Sequence, residues 1–291
     1  MSKKQSEILK NNLIPFFVIN LSKDQEKKNR MQEIADQLQL NFTYIDAVYG
    51  KELSQDKVDK VSRHEQSEEL FKRRLFRGEI GVALSQMSIY QKMIDENIEQ
   101  AIIFEDDVII DKSIHEVIDS IDNFPKDWEL VMLGYHRHFI KNRFHRISFR
   151  NRKRISKHFK IVRFTDLMHG AFGYMISLNG AKKLISTLSE GIIEPIDHYT
   201  GNEKKINLYG VYPRCVKVDA DLQSTIMQER IEHDISSKST TKALNNKDKL
   251  KKVLGKIGLL FFIKKINYHR SVFQEELFWL PKRLKTLKKY R

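Results

Sequence analysis

The sequence predicts an α/β fold in which helices flank a mostly parallel central sheet. Short apolar runs of strand length alternate along the chain with segments of helical periodicity, a pattern typical of such folds. The runs are continuously apolar, as strands buried on both faces are. With 291 residues, of which 41% are hydrophobic and 31% charged, the chain has enough apolar material for a sizeable core. We therefore expect a globular protein rather than a disordered one.

The N-terminal part of the chain predicts a βαβ unit. The apolar run from Ile14 to Leu21, in IPFFVINLS, forms the first strand, and Ser22 is a candidate N-cap for the helix that follows. NFTYIDAV then returns as a second strand. The intervening helix is indicated by apolar side chains at helical spacing, namely Met31, Ile34, Ala35 and Leu38.

The middle of the chain continues this alternation. The segment GEIGVALSQMSIYQKMIDENIEQ predicts a helix, and the strand in AIIFEDDVII follows it directly. Beyond it we expect a helix near Ile114 to Ile121, strands at ELVMLG and AFGYMISL, and a helix from about Asn179 to Leu188.

The composition changes after Ile235. SSKSTTKALNNKDK is typical of a linker, and two basic amphipathic helices are predicted after it. We therefore divide the chain into a domain over residues 1–235 and a linker with a basic helical tail over residues 236–291. The apolar positions of the two tail helices are Leu250, Val253, Leu254, Ile257, Phe261, Phe273, Leu277, Leu280, Leu284 and Leu287.

The net charge of +14 is concentrated in two segments. Residues 241–291 hold 15 Lys/Arg and 3 Asp/Glu, and residues 130–165 hold 11 Lys/Arg and no acid. Neither contains a recognisable nucleic-acid-reading element, so we expect no nucleic-acid partner. The tail helices predict peripheral attachment to an anionic membrane surface, where each Lys/Arg contributes about 1 kcal/mol. The alternative is that they pack on the globule with a solvated outer face.

Cysteine usage and hydropathy indicate the compartment. The single cysteine, Cys215, cannot form an intrachain disulfide or a cysteine-ligated zinc site, which favours a reducing compartment. The N-terminus has no apolar signal region, and the apolar stretch from Ile257 to Ile263 is far shorter than the roughly 20 residues that span a bilayer. We expect a cytoplasmic protein with neither a signal peptide nor a transmembrane helix.

Three consecutive acids, Glu105, Asp106 and Asp107, follow the apolar AIIF and precede the apolar VII. Carboxylates this close raise one another's pKa unless a cation neutralises them, and an all-oxygen set selects Mg²⁺ or Mn²⁺. Ligands of parallel α/β sheets bind at the carboxyl ends of strands, where this run is predicted to lie. The alternative is a solvated turn.

An ordered set of motifs resembles glycosyltransferase family 25, which includes the lipooligosaccharide galactosyltransferases. The motifs run from about Ile14 to about Ile226: PFFVINLSKDQEKKNRMQEIADQL, FTYIDAVYGKEL, GEIGVALSQMSIYQKMIDEN, AIIFEDDVII, HGAFGYMISLNGAKKLI and PIDHYT. The resemblance implies a GT-A-like nucleotide-sugar fold, a divalent cation at the acidic run, and inverting transfer, usually of galactose from UDP-galactose. Gln86 stands where family members commonly have His.

The resemblance also implies a glycolipid or oligosaccharide acceptor, which places the expected protein on the inner face of the cytoplasmic membrane. Chemically, a cation stabilises the charge that grows on the departing diphosphate. Asp107 is the first candidate ligand, with Glu105 and Asp106 binding the metal, its waters or the ribose. Asp197, in EPIDHYTGN, matches the second acidic motif of the family and is the candidate base for the acceptor hydroxyl. The alternative is that Asp197 caps a helix.

Further candidates for donor binding lie at the first strand and its helix. Asn20 and Leu21 end the strand, where backbone and amide groups are placed to read the uracil edge. Arg30 matches a basic residue that the family has near the nucleotide. A solvated position on the helix face is the alternative for Arg30.

The remaining donor-binding candidates begin two other elements. Glu79 and Ser85 lie near the start of the helix before the acidic strand, and a helix N-terminus attracts phosphate. Glu79 is alternatively an ordinary first-turn acid. His169 and Gly170 begin the strand HGAFGYMISL, where glycine permits close backbone approach and histidine could face the metal or diphosphate. A purely structural histidine is the alternative.

Other protein classes fit the sequence less well. A metal-dependent nucleotidyltransferase also uses paired carboxylates but should show a Gly-rich loop near the first strand, and INLSKDQEKK has none. A receiver-type signalling domain places its acids after the first strand and ends near 120 residues. A nucleic-acid-binding protein would use both basic segments without metal dependence. For a glycosyltransferase, the alternative to galactose is transfer of another hexose from a UDP-sugar.

Overall fold

A computed structural model describes residues 14–136, 147–164, 167–219 and 222. The strands are β1 (Phe16–Asn20), β2 (Phe42–Asp46), β3 (Gln100–Glu105), β4 (Val108–Ile110), β5 (Leu130–Met132), β6 (Ile147–Arg154), β7 (Lys160–Phe164), β8 (Gly173–Ser177), β9 (Leu208–Tyr212) and β10 (Val216–Val218). The helices are α1 (Gln25–Leu38), α2 (Gln55–Val61), α3 (His64–Phe71), α4 (Arg77–Asp95), α5 (Ile114–Asp119), α6 (Leu178–Ser189) and α7 (Asp197–Thr200), with 3₁₀ turns at Gly50–Glu52 and Ile121–Asn123. The predicted α/β class is confirmed.

The central sheet has eight strands in the order β2-β1-β3-β8-β5-β9-β7-β6. β1 pairs in parallel with both β2 and β3, as the βαβ prediction requires. β8 is antiparallel to β3 and β5, and β7 is antiparallel to β6 and β9, so the sheet is mixed. A buried strand shows the same apolar run in either direction, which is why the sequence pattern could not reveal these orientations.

The register of β1 and β3 places the acidic run beside the end of the first strand. Ile19 pairs with Glu105, so Asn20 and the acids that follow Glu105 emerge at the same edge of the sheet. The apolar VII after the acids does not continue β3. It forms β4, which pairs with β10 in a separate two-stranded sheet, and Asp106 and Asp107 occupy the turn between β3 and β4.

Helix starts follow local capping chemistry. Ser22 was the predicted cap of α1, and this prediction is wrong: the Asp24 side chain accepts from Lys27 N at 3.2 Å, while Ser22 N donates to the carboxylate of Asp46. α4 begins with a capping box in which Glu79 accepts from Phe76 N at 3.0 Å. Two acceptors for otherwise unpaired N–H groups therefore set where these helices begin.

The apolar faces of α4 and α6 cover the sheet. Ile80, Ile89 and Met93 of α4 are fully buried and share one core cluster with Leu184 and Leu188 of α6. Burial of these side chains anchors α4 on the sheet, with its N-terminal half beside the ends of β1 and β3. The core thereby fixes the walls of the edge at which the acids lie.

Some predictions fall outside the described residues. The domain boundary near 235, the linker and the two amphipathic tail helices are among them, and they stay predictions. Within the described ranges, none of the helices combines the length and apolar character needed to cross a bilayer. The hairpin of β6 and β7, inside the basic segment over residues 130–165, and strands β9 and β10 were not predicted.

Candidate active site

A cleft lies at the carboxyl-terminal edge of β1 and β3. It encloses about 760 Å³, including its open mouth. The acidic run lines one side and the start of α4 with the loop after β2 lines the other. The lining residues are Ile19, Leu21, Lys27, Ala47, Val48, Tyr49, Gly50, Lys51, Gly78, Val82, Ser85, Glu105, Asp106 and Asp107.

Asp106 is held by two side chains of the βαβ unit. Asn20 Nδ2 donates to Asp106 Oδ2 at 2.9 Å, and Lys27 Nζ donates to Asp106 Oδ1 at 3.1 Å. Burial alone lowers the pKa of Lys27, yet the charge of Asp106, its hydrogen bond and the charges of Asp107 and Asp24 together raise it. Lys27 therefore stays an ammonium at the cleft floor.

Among the described ion pairs, Lys27 binds Asp106 and Arg30 binds Asp219, and none joins a basic side chain to Asp107 or Glu105. Asp107 is 8% exposed, and its buried Oδ1 has no hydrogen-bond partner among the described residues. Burial and the charge of Asp106 raise the pKa of Asp107. Burial, followed by the charges of Asp107, Asp106 and Asp197, raises the pKa of Glu105 to about 8. We call Glu105, Asp106 and Asp107 the carboxylate cluster.

The carboxylate cluster fits a hard divalent cation. An unpartnered buried carboxylate oxygen is costly unless it binds a cation or proton, and Asp107 Oδ1 meets that description. Among the described residues, the three carboxylates of the cluster do not bring their oxygens within 4.8 Å of one another. Mg²⁺-type ions are commonly held by one or two carboxylates together with substrate phosphates, so Asp107, alone or with Glu105, would supply enough protein ligands.

A second group of chemistry-bearing residues joins the segment before β8 to α7. His169 Nδ1 lies 3.2 Å from Asp197 Oδ2, and the rings of His169 and His198 are 5.2 Å apart at their centroids. Each residue offers one metal-ligand atom, and these atoms all lie within 4.8 Å of one another. We call His169, Asp197 and His198 the imidazole cluster.

Glu194 and Lys205 support the imidazole cluster from behind. Glu194 Oε2 lies 3.4 Å from His198 Nδ1 and 2.9 Å from Lys205 Nζ. The hydrogen bond from His198 and then that from Lys205 lower the pKa of Glu194 against the effect of burial. Asp197 is the first residue of α7, while Ile196 occupies the cap position, so Asp197 is not the helix cap.

The two clusters belong to one electrostatic region. After burial and the charges of Asp107 and Asp106, the negative charge of Asp197 also contributes to the raised pKa of Glu105. The two acidic motifs, 90 residues apart in the sequence, therefore interact electrostatically.

The predicted residues at the end of β1 and in α4 divide into two groups. Leu21 and Ser85 line the cleft, and Asn20 binds its floor through Asp106. The Ser85 hydroxyl accepts from Val48 N and donates to Gly81 O, both at 2.8 Å, so it shapes the cleft wall rather than offering a free hydroxyl. A side chain at Gly81 would place its Cβ 2.5 Å from Val48 O, which is why this contact needs glycine.

Glu79 and Arg30 are predicted donor-binding residues that the structure does not bring into the described cleft lining. Arg73 binds the Glu79 carboxylate in bidentate fashion at 2.8 and 2.9 Å, and the carboxylate also caps α4, so Glu79 serves the helix start. Arg30 donates to Val108 O and forms an ion pair with Asp219 at 2.8 Å. Its guanidinium ties α1 to the segments around β4 and β10.

Gly170 positions His169 through its backbone. Its φ of +105° is favourable only for glycine, and an added Cβ would lie 2.4 Å from a ring carbon of Phe172. His169 O accepts from His136 N at 2.9 Å, which holds the segment against the sheet. The backbone conformation of Gly170 thus helps to position His169.

Three residues of the site were missed in the sequence. Lys27 lies on α1, and its side chain reaches the cleft only because β3 pairs with β1 in the observed register. Tyr49 also lines the cleft, and Lys23 Nζ lies 3.1 Å from the centroid of its ring. His198 follows Asp197 directly and could have been found as an Asp-His pair in PIDHYT. Its contribution depends on His169, which is 29 residues away in the chain.

Comparisons with known proteins show the family of this chain. The sequence model of glycosyltransferase family 25 (LPS biosynthesis protein) matches residues 13–200, a range that contains both clusters. Procollagen galactosyltransferase 2 of Homo sapiens is 28% identical over 190 residues, which is 63% of this chain and 29% of the relative. A glycosyltransferase 25 family member of Aedes aegypti is 28% identical over 190 residues, covering 63% of this chain and 30% of the relative.

The chain thus spans about 30% of the length of the curated relatives it matches. Among solved structures, mouse xyloside xylosyltransferase 1 in its apo form overlaps with a TM-score of 0.31 at 11% identity. That overlap covers 76% of this chain and 91% of the other.

Proposed function

Because this chain belongs to glycosyltransferase family 25, we propose that it transfers galactose from UDP-galactose to a sugar of a lipooligosaccharide or lipopolysaccharide, with inversion, in the manner of a β-1,4-galactosyltransferase. The observation that carries the proposal is the buried Asp107 Oδ1, which has no hydrogen-bond partner in the described part of the chain and lies in a cleft that also holds Lys27. A cleft of this kind suits a cation together with a diphosphate.

The donor occupies the cleft between the carboxylate cluster and the loop after β2. Lys27 and Lys51 supply positive charge for the diphosphate, and Tyr49 supplies an aromatic face for the uracil. Asn20 holds Asp106 in place, so Asp106 orients Lys27 as well as facing the ribose. These contacts favour a nucleoside diphosphate over a neutral sugar.

Asp107 and Glu105 would hold the divalent cation. When bound, the cation neutralises the charge that grows on the departing diphosphate. Burial and the neighbouring carboxylates raise the pKa values of Glu105 and Asp107, so their charged forms are disfavoured until a cation binds, which supports the proposal. The two carboxylates are therefore arranged for a cation that arrives with the donor.

Asp197 acts as the base on the acceptor side. Its carboxylate takes the proton of the acceptor hydroxyl as the hydroxyl oxygen bonds to the anomeric carbon and the bond from that carbon to the diphosphate breaks, releasing UDP. Attack from the side opposite the leaving group inverts the anomeric centre. His169, 3.2 Å from Asp197 Oδ2, restrains that carboxylate.

Galactose is favoured because one of the relatives named above is a procollagen galactosyltransferase, and a lipopolysaccharide acceptor is favoured by the description of the family. The basic segment over residues 130–165 suits an anionic acceptor. Another hexose from a UDP-sugar remains the alternative donor.

A panel of nucleotide sugars tests the donor. The full chain is incubated with each donor and Mn²⁺ or EDTA, and released UDP is measured with and without lipooligosaccharide. We expect Mn²⁺-dependent release from UDP-galactose that increases with acceptor, and loss of release in Asp107→Asn. Preference for a different UDP-sugar would replace galactose. Equal UDP release with Mn²⁺ and with EDTA would contradict the proposed dependence on a divalent cation.

We also propose that the tail over residues 236–291 attaches the enzyme to the inner face of the cytoplasmic membrane. Its net charge and apolar positions support this. Flotation with anionic vesicles at low and high salt, with and without the tail, tests it. Equal recovery in all four conditions would contradict attachment by the tail.

A further inference from the structure

The imidazole cluster differs from the carboxylate cluster in its ligand chemistry. It joins two imidazoles to one carboxylate, and its three ligand atoms already lie within 4.8 Å of one another. Two ligands on a zinc-sized ion, with bonds of about 2.0–2.2 Å, lie about 3–3.6 Å apart. The 3.2 Å between His169 Nδ1 and Asp197 Oδ2 already matches this spacing.

We infer that the imidazole cluster binds a borderline transition-metal cation such as Zn²⁺ at a site separate from the carboxylate cluster. Imidazole ligands favour Zn²⁺ and its neighbours, whereas all-oxygen sets favour Mg²⁺ and Mn²⁺. Occupation engages the carboxylate of Asp197 and so inhibits glycosyl transfer. The inhibition, though not the binding, rests on the proposed role of Asp197 as base.

The surroundings of His198 have the form of a metal-ligand support. Metal-bound histidines commonly pair their second ring nitrogen with a carboxylate, which fixes the ring and raises its basicity. Glu194 Oε2 stands 3.4 Å from His198 Nδ1, leaving Nε2 as the ligand atom, and Lys205 restrains Glu194 at 2.9 Å. The ring of Phe71, 5.4 Å from that of His198, limits its rotation.

A histidine elsewhere in the chain provides a matched control. His158 Nδ1 lies 2.8 Å from Glu116 Oε2, so it is also a carboxylate-paired histidine. It is not part of the three-residue convergence found at the imidazole cluster. Replacing His158 therefore removes a histidine–carboxylate pair without removing the inferred site.

Cobalt(II) titration of the full chain is the direct test, because Co²⁺ substitutes for Zn²⁺ and its visible absorption reports the ligands. We expect a saturable visible band that Zn²⁺ displaces. Glu194→Gln should weaken binding about 10-fold and His198→Gln about 100-fold, in line with outer-shell and direct ligand losses. His158→Gln and Asp107→Asn should bind Co²⁺ as the parent does. Circular dichroism confirms that each variant is folded.

Several outcomes would overturn the inference. Absence of the band in the folded parent, or an unchanged band in His198→Gln, excludes the site. Loss of the band in Asp107→Asn shows that both clusters hold one shared ion, which contradicts two separate sites.

Activity is measured separately, so that failure of the proposed function stays distinguishable. Zn²⁺ should inhibit Mn²⁺-supported UDP release from the parent with acceptor present, and inhibition of the residual activity of His198→Gln should need at least about 10-fold more Zn²⁺. Co²⁺ binding without any UDP release would overturn the proposed transferase and leave the metal site standing. Equal Zn²⁺ sensitivity of the two proteins would overturn the inhibitory role.

Discussion

The carboxylate cluster and the imidazole cluster differ in how the negative charge of their carboxylates is balanced. Both clusters contain carboxylates, and the charge of Asp197 contributes to the raised pKa of Glu105. In the imidazole cluster, His169 and His198 stand beside the acids, and Lys205 pairs with Glu194. In the carboxylate cluster, Lys27 is bound to Asp106, while Asp107 Oδ1 has no partner among the described residues.

The difference indicates where the protein depends on its ligands. Neighbouring buried carboxylates that have no basic side chain to neutralise them are stable only when they are protonated or bound to a cation. The imidazole cluster has its compensation in the fold. We therefore expect loss of donor binding from changes in the first cluster and loss of turnover from changes in the second.

Asp197→Asn should have the largest effect. It keeps the size of the side chain but removes the proposed proton acceptor, and loss of a general base costs about 10²–10⁴ in rate. UDP binding with Mn²⁺ should be unchanged, because Asp197 lies outside the residues that line the donor cleft. Turnover with acceptor and calorimetry with UDP measure the two quantities. Parent-level turnover would return Asp197 to a structural role.

Asp107→Asn should weaken UDP binding, the quantity that Asp197→Asn is expected to leave unchanged. It withdraws a cation ligand, so Mn²⁺-dependent affinity for UDP should fall about 100-fold while the fold persists. Asp46→Asn is the matched control, since Asp46 also ends a parallel strand but binds Ser22 N. Calorimetry with and without Mn²⁺ compares them. Unchanged affinity in Asp107→Asn would remove the distinction between the two clusters.

The pH dependence of stability tests the uncompensated charge itself. The pKa of Glu105 is raised from 4.5 to about 8 in the folded protein, so the folded state binds this proton more tightly than the unfolded state does. Stability of the metal-free protein should therefore fall as pH rises from about 4.5 to about 8. Glu105→Gln should flatten the dependence of Tm on pH. Parallel curves for the two proteins would contradict the assignment.

Glu79→Gln should have the smallest effect and should separate structure from binding. The substitution weakens the bidentate pair with Arg73, at a cost of about 1.5–3 kcal/mol, so Tm should fall by several degrees. UDP affinity should match that of the parent. A weaker affinity with unchanged Tm would restore Glu79 as a donor-binding residue.

Local sequence patterns predicted those site residues whose position follows from the strand that directly precedes them. The acidic run was expected at the end of a buried strand because its apolar flanks leave few other places, and the structure has it at the turn between β3 and β4. Glu79 and Arg30 were predicted to bind the donor, yet they are not among the residues that line the described cleft. Their partners, Arg73 and Asp219, are not recognisable without the packing of α4 and β10.

The sequence by itself determined the α/β class and the identity of the acids, because buried strands and clustered carboxylates have local signatures. Only the tertiary structure decided strand direction, and only it brought His169 to Asp197 and His198. The tertiary structure also brings Lys27 to Asp106, from which it is 79 residues distant in the sequence. Side-chain convergence depends on register and crossing of distant segments, and no residue pattern along the chain specifies these before the core has packed.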